Sequence, residues 1–186
     1  FKYLEEHLSC AGPVAEALDL LQGENNTYYG ILLPCLVALR RKLQLLVNKN
    51  WTFCKPLSEV FLNAVERRFD EFFNCTTTVA ENAAIAALSY PRFKNRWLSC
   101  MDFHYQEQIL NIFKKAVEME MDLETLPRTQ EISFNKDDFF DFGTQSTSMF
   151  SNELKSKAEL QVLHFFNDND QELETLSRYP NIKSVF

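Results

Sequence analysis

Three histidines, His7, His104 and His164, are the first side chains to weigh for chemistry, and none has the company that chemistry needs. A nucleophilic or metal centre requires a Cys, Asp or Glu at a spacing that brings lone pairs or a shared proton together. Asp102 precedes His104 by two residues, and on a helix that spacing points the two side chains in different directions. The chain contains no Gly-x-Ser-x-Gly, no phosphate-binding loop, no Gly-x-Gly-x-x-Gly and no His-Glu-x-x-His. The histidines are therefore expected to serve packing or the surface. Cys10, Cys35, Cys54, Cys75 and Cys100 are odd in number and at least nineteen positions apart, so no CxxC or CxxH pair exists to build a zinc site. Free thiols in a reducing compartment are the expectation. No metal or cofactor is assigned to this chain.

Charge is as uneven as the cysteines are scattered. The chain carries 19 Lys and Arg against 26 Asp and Glu, a net −7, and the stretch from Glu118 to Asp141 holds six of those seven net negative charges. A near-neutral body with an acidic stretch is not an autonomous binder of phosphate, although it leaves room for DNA contact within a larger protein. The acidic stretch lacks the EF-hand pattern. Its Asp138-Phe139-Phe140-Asp141-Phe142 run interleaves acids with phenylalanine, a docking pattern set against the plainer reading of flexibility. Asn25, Asn50 and Asn74 head Asn-x-Ser/Thr sequons that matter only in a secreted chain, and no signal peptide is visible. No apolar run approaches the roughly 20 residues of a membrane span. Phe1 in place of Met, and the apolar run that stops at Phe186, read as the ends of a piece of a longer protein.

Helices must position these residues. Four Gly and six Pro in 186 residues, with 46% apolar composition, leave room for long helices and a core. The fold class read from this is all-α. A first helix is expected over Tyr3 to Gln22, broken near Gly12-Pro13 and ended by a left-handed Gly23, with Glu24 to Thr27 as a polar connector. Leu32, Leu36, Leu39, Leu43 and Leu46 recur at spacings of four and three, placing them on one face of a second helix, with Arg40, Arg41 and Lys42 on a solvated face. A loop from Asn50 to Lys55 leads to a third helix from Pro56, whose stripe is Leu57, Phe61, Val65, Phe69 and Phe72. An Ala-rich helix follows from Val79 to Leu88, then a turn at Ser89 to Lys94, because Pro91 drives Tyr90 out of helical geometry. A helix from Phe103 to Met121 turns Leu110, Phe113, Val117 and Met121 inward. Residues 123–151 are expected to be irregular. Helix resumes from Asn152 to Phe166, Asp168 or Asn169 caps a short one ending near Arg178, and Pro180 starts the last. The domain division read from this is a helical domain at 1–122, an acidic flexible linker at 123–151 and a helical end segment at 152–186.

Three blocks carry a resemblance. Ala17-Leu18-Asp19-Leu20-Leu21-Gln22-Gly23-Glu24 with Tyr29-Gly30-Ile31-Leu32-Leu33-Pro34 resembles the "LD-x-LQGE … yG-x-LLP" stretch of hAT-superfamily transposases, particularly vertebrate proteins that pair this region with a BED zinc finger. Ala86 to Lys94 is similar to that family's "A-x-LDPRFK" turn, with Ser89-Tyr90 replacing Leu-Asp. Glu172 to Pro180 looks like the opening of the family's C-terminal dimerisation region. The blocks follow the family's order and frame nearly the whole chain.

The resemblance implies the helical insertion of an RNase H-like transposase plus the start, at 152–186, of the dimerisation helices. The family's metal-holding Asp, Asp and Glu are implied to lie upstream of Phe1 and beyond Phe186, so no catalytic residue is carried over and the chain is not read as an enzyme. The implied role is support of DNA-end binding and dimerisation in a nuclear protein, an active transposase or a domesticated derivative. Divalent metal belongs only to a complete parent. The implied partners are DNA, through the parent, and further copies as a homodimer or higher oligomer, with no membrane. Arg92, Lys94 and Arg96 are the candidate phosphate contacts. Leu173, Leu176, Ile182, Val185 and Phe186 are the candidate dimerisation residues, with Leu163, Phe165 and Phe166 adding apolar surface. The family's DNA-holding Arg-Trp pair is mimicked by Arg96-Trp97, but it stands on the wrong side of the Pro-Arg-Phe-Lys block, so Trp97 is read as packing. The alternative reading is a helical protein–protein interaction module of a nuclear scaffolding or transcription-associated protein without DNA cleavage.

Overall fold

The computed structural model describes residues 1–23, 28–125 and 146–186, the side chains of 124–125 and 146–152 excepted. Among them the chain is helical and contains no strand, in agreement with the all-α expectation. No helix among them is long and apolar enough to cross a membrane. The connector at 24–27, most of the acidic stretch, the Asp-Phe-Phe-Asp-Phe run and Asn25 lie outside the described residues.

The first helix, α1 (Lys2–Gln22), runs through Gly12 and Pro13 without the expected break. Proline forces its predecessor out of helix chiefly by striking that residue's Cβ, and Gly12 has none. The donor that Pro13 lacks is offset by anchors on both sides, Cys10 at full burial and Ala17 in the core. Gly23 closes the helix in extended geometry (φ −60°, ψ 117°) rather than left-handed, so the cap expected there does not form.

A buried carboxylate fixes the other end of α1. Glu6 accepts from the backbone N–H groups of Thr52 (3.1 Å), Phe53 (2.8 Å) and Cys54 (3.1 Å), the loop that opens α3 (Lys55–Arg68). Cys54 is the N-cap of α3, where negative charge is favoured, and Thr52 and Phe53 are the loop residues just before it. Burial alone would raise the carboxyl's pKa, but the three N–H groups outweigh it and leave it below the ordinary 4.5. The sign follows: a depressed folded-state pKa contributes stability that is full above the unfolded value and fades as pH falls through the folded one. Glu6→Gln is expected to lower the Tm at pH 7 by about 5 °C. The gap between wild type and variant should close below pH 4.5. A gap that persists unchanged to pH 3 in thermal melts would remove the charge from the explanation.

Helix α2 (Leu32–Val47), preceded by a 3-10 turn at Tyr29–Ile31, is the centre of the molecule. Its leucines do not share a single buried face. Leu33, Leu36 and Val37 enter one apolar cluster, and Cys35, Leu39 and Leu43 another. A helix buried on several sides needs apolar residues around most of its girth, and this one has them. Arg40, Arg41 and Lys42 are engaged rather than simply solvated: Arg40 donates to the Cys100 carbonyl (3.3 Å) and lies over the Phe73 ring, Arg41 reaches Cys100 Sγ, and Lys42 pairs with Glu16.

The third helix ends early. Phe69 leaves helical geometry (φ −116°, ψ 23°), and the short α4 (Asp70–Phe73) turns Phe72 and Phe73 into the core, where a single continuous helix was expected. Thr77 then caps α5 (Thr78–Ser89) by accepting from Ala80 N at 3.2 Å. The small side chains of α5 bury Ala80, Ala83, Ala84 and Ala87 completely.

Helix α6 (Phe103–Thr125) and α7 (Ser146–Asn167) pack together, with Phe113 stacked on Phe166 at 5.8 Å. Both are longer than expected, α6 continuing past Met121 to Thr125 and α7 starting at Ser146 rather than Asn152. A 3-10 helix (Leu173–Arg178) and α8 (Pro180–Val185) complete the chain. Ala158, Val162, Phe165, Leu176 and Ile182 from this end share one core with α2, α5 and α6.

Candidate functional site

The three sequence blocks quoted above meet in space. Pro91 holds Tyr90 extended (φ −77°, ψ 116°), so α5 ends and the backbone folds back, with Phe93 N and Lys94 N both donating to the Tyr90 carbonyl. Gly30 lies against this turn: a Cβ added there would sit 2.4 Å from the Ala86 carbonyl oxygen. Tyr28 packs on Tyr90 at 5.4 Å between centroids, and Phe186 closes on both rings.

Lys94 ties this turn to the loop just ahead of the third block. It takes a left-handed backbone (φ 49°) and is 2% exposed. Its ammonium donates to the carbonyls of Asp168 and Asp170 and lies 4.9 Å from the Phe165 ring centre. Burial pushes its pKa below the ordinary 10.5, with Asp168 and Asp170 pulling it back. Asp168 and Asp170 shape the receiving loop: each accepts, through Oδ1, the N–H two residues on. Asp168 Oδ2 also accepts from Tyr179 Oη (3.1 Å), and Arg178 pairs with both aspartates. The Asp170 N–H bond is the main cause of Asp168's lowered pKa, and the Glu172 N–H bond of Asp170's. Burial first, then Asp168, raises Tyr179.

Beside this junction lies a cleft of about 380 Å³ lined by Tyr28, Tyr90, Arg92, Gln171, Glu172 and Leu173. The lining holds no thiol and no imidazole. It offers aromatic faces, a guanidinium, an amide and a carboxylate.

The expected site residues separate. Arg92 is exposed at the cleft, and Arg96 is exposed and donates to the Arg92 carbonyl at 2.8 Å. Lys94 is corrected: a side chain committed to two backbone carbonyls inside the protein does not present charge to a phosphate. The dimerisation candidates divide between core and surface. Leu176 and Ile182 are buried in the chain's own core, Leu173 and Val185 pack against it, and Phe186 keeps 38% exposure while resting on Tyr28 and Tyr90. Of the neighbouring residues, Phe165 is internal and Leu163 exposed. Trp97 is buried in the main core, as read from its place in the sequence, with its indole N–H unpartnered. His7, His104 and His164 are all exposed. All five thiols are free, and burial raises those of Cys10, Cys35 and Cys75, the last to about 11. No group of His, Cys, Asp or Glu among the described residues is arranged to hold a metal.

Sequence reading missed Tyr28 and the receiving loop. The loop did leave a signal, since Asn167-Asp168-Asn169-Asp170 is a run of residues whose side chains bond the backbone two positions on. No family model, no curated protein and no solved structure matches this chain.

Proposed function

We propose that the chain is the helical insertion region of a hAT-type DNA transposase or of its domesticated derivative, and that it supports DNA-end binding and self-association in a nuclear protein. No catalytic step is assigned to its residues; the metal-holding carboxylates belong to the parent. The observation that supports this reading is the convergence of the three blocks. Segments spread from Ala17 to Pro180 resemble one family, and they meet through Gly30 on Ala86 and through Leu173, which packs against the apolar cluster that holds Ala17, Ile31 and Tyr90.

The DNA role rests on Arg92 and Arg96, the two exposed cations of the turn. The parent protein is expected to bind hairpin-ended duplex with an affinity that falls as salt rises. Arg92→Ala with Arg96→Ala should reduce the slope of log K against log salt by about 2, near one per lost phosphate contact. Fluorescence anisotropy at several salt concentrations measures it, and an unchanged slope removes both arginines from the interface.

The interaction-module reading has its own observation. Along α1, Leu4, Leu8 and Leu18 are exposed at 58%, 70% and 51%, a stripe at helical spacing with no partner among the described residues. Absence of salt-dependent DNA binding by the parent would favour that reading.

A further inference from the structure

The cleft at the junction contains three polar side chains that find no side-chain bonding partner among the described residues. Arg92 makes no ion pair or side-chain hydrogen bond with a described residue; its guanidinium lies 5.6 Å from the Phe93 ring centre and nothing more. Glu172 gives its backbone N–H to Asp170, but its carboxylate has no partner among the described residues. The Gln171 amide is likewise unbonded. A guanidinium and a carboxylate line one hollow without pairing with each other, and beside them is the partly buried ring of Tyr28, which packs on Tyr90 and Phe186 and also lines the hollow.

We infer that this cleft binds a guanine nucleotide, with the base stacked on Tyr28, its Watson–Crick edge read by Glu172 and Gln171, and its phosphate held by Arg92. A guanine presents two adjacent donors, N1–H and N2–H, which match the two oxygens of one carboxylate. Its O6 accepts from the Gln171 amide. Adenine places the acceptor N1 where guanine has a donor, so the same carboxylate repels it. Stacking on an aromatic ring serves any base, so the preference rests on Glu172. A cleft of about 380 Å³ lies within the size range of small-ligand sites. The base has two sources, a free nucleotide or an unpaired residue of a strand, and the second rests on the DNA reading above.

The test is titration of the ¹⁵N-labelled 186-residue chain with GMP, AMP, CMP and TMP. GMP is expected to shift the amides of Tyr28, Arg92 and residues 171–173 and to bind about tenfold more tightly than AMP. Glu172→Gln, at an exposed position, should erase that preference with the fold intact by circular dichroism. Arg92→Ala should weaken GMP and leave guanosine unchanged, and Tyr28→Ala should weaken all four nucleotides about tenfold. Equal affinity for the four, no saturable binding, or a GMP preference that survives Glu172→Gln overturns the inference. The strand as source is supported if d(TTTTGTTTT) binds more tightly than d(T)₉ through the same residues. Saturable GMP binding by a chain whose parent ignores duplex DNA keeps the cleft and sinks the transposase reading. Salt-dependent duplex binding without nucleotide preference does the reverse.

Discussion

Gly30→Ala is expected to destabilise the protein by about 3 kcal/mol, lowering the Tm by roughly 6–12 °C for a chain of this size. Nothing in Gly30's own backbone conformation demands glycine, because its φ does not fall in the left-handed region. The effect is purely one of space. The new methyl would lie 2.4 Å from the Ala86 carbonyl oxygen, 3.0 Å from its carbon and 3.1 Å from Tyr90 Cβ. Two of those atoms are helix backbone, and a helix does not yield the way a side-chain tip does. The 3-10 turn and α5 must therefore separate, which also loosens Tyr28 from Tyr90 and the hydrogen bond from Tyr29 Oη to the Val79 carbonyl (3.1 Å). Gly12→Ala is the matched control. A Cβ there meets nothing within 4 Å, yet it restores the clash that proline imposes on its predecessor, so its cost should be smaller and confined to α1. Chemical denaturation of both variants measures the difference, and a Gly30→Ala protein as stable as wild type would show that the two segments are not in the contact described.

Lys94→Met is expected to cost about 3 kcal/mol, the order seen when one partner of a buried charged contact is removed. Methionine fills similar space but donates nothing, so the Asp168 and Asp170 carbonyls lose their ammonium. Left-handed strain at Lys94 (φ 49°) offers a competing account of the position, and Lys94→Gly separates the two. Glycine takes that geometry freely. If strain dominated, Lys94→Gly would stabilise the protein; if the ammonium dominates, both variants lose stability, and the loss is local first. Hydrogen exchange should then show faster opening of residues 171–186 while the amides of α2 and α5 keep their protection. A Lys94→Gly chain more stable than wild type would refute the latch.

Helix existence was readable from local pattern, because burial on one side of a helix forces apolar residues to recur every three or four positions. The Ile109–Phe113–Val117 stripe of α6 shows it, and the leucines of α2 recur at the same spacing although they divide between two clusters. Pro91 and Pro180 marked a turn and a helix start for reasons contained in one residue. Interruptions were harder. Pro13 signalled a break that Gly12 and the anchors on both sides prevented, whereas Phe69, with no local mark of a breaker, ends α3. Each outcome depends on what packs against the helix, which no window of sequence contains.

The same division runs through the candidate site. The residue types of the turn, Arg92, Lys94 and Arg96, were legible as three cations at alternating positions, but the alternation does not say which way each points. A left-handed backbone at Lys94 and two waiting carbonyls 74 and 76 residues away turn one of the three inward. Apolar residues at 173–186 were equally legible as surface to be covered. Whether a second copy or the chain's own core covers Leu176 and Ile182 is a question of where α5 and α6 lie, and they lie beneath α8. By itself the sequence determined that this chain is helical and where its clearest helices run, because those properties follow from spacing and residue type. Only the tertiary structure decided that the blocks form one junction, that Lys94 is a latch and that Tyr28, Arg92, Gln171 and Glu172 share a cleft, because contacts between residues far apart in the chain depend on the packing of every helix between them.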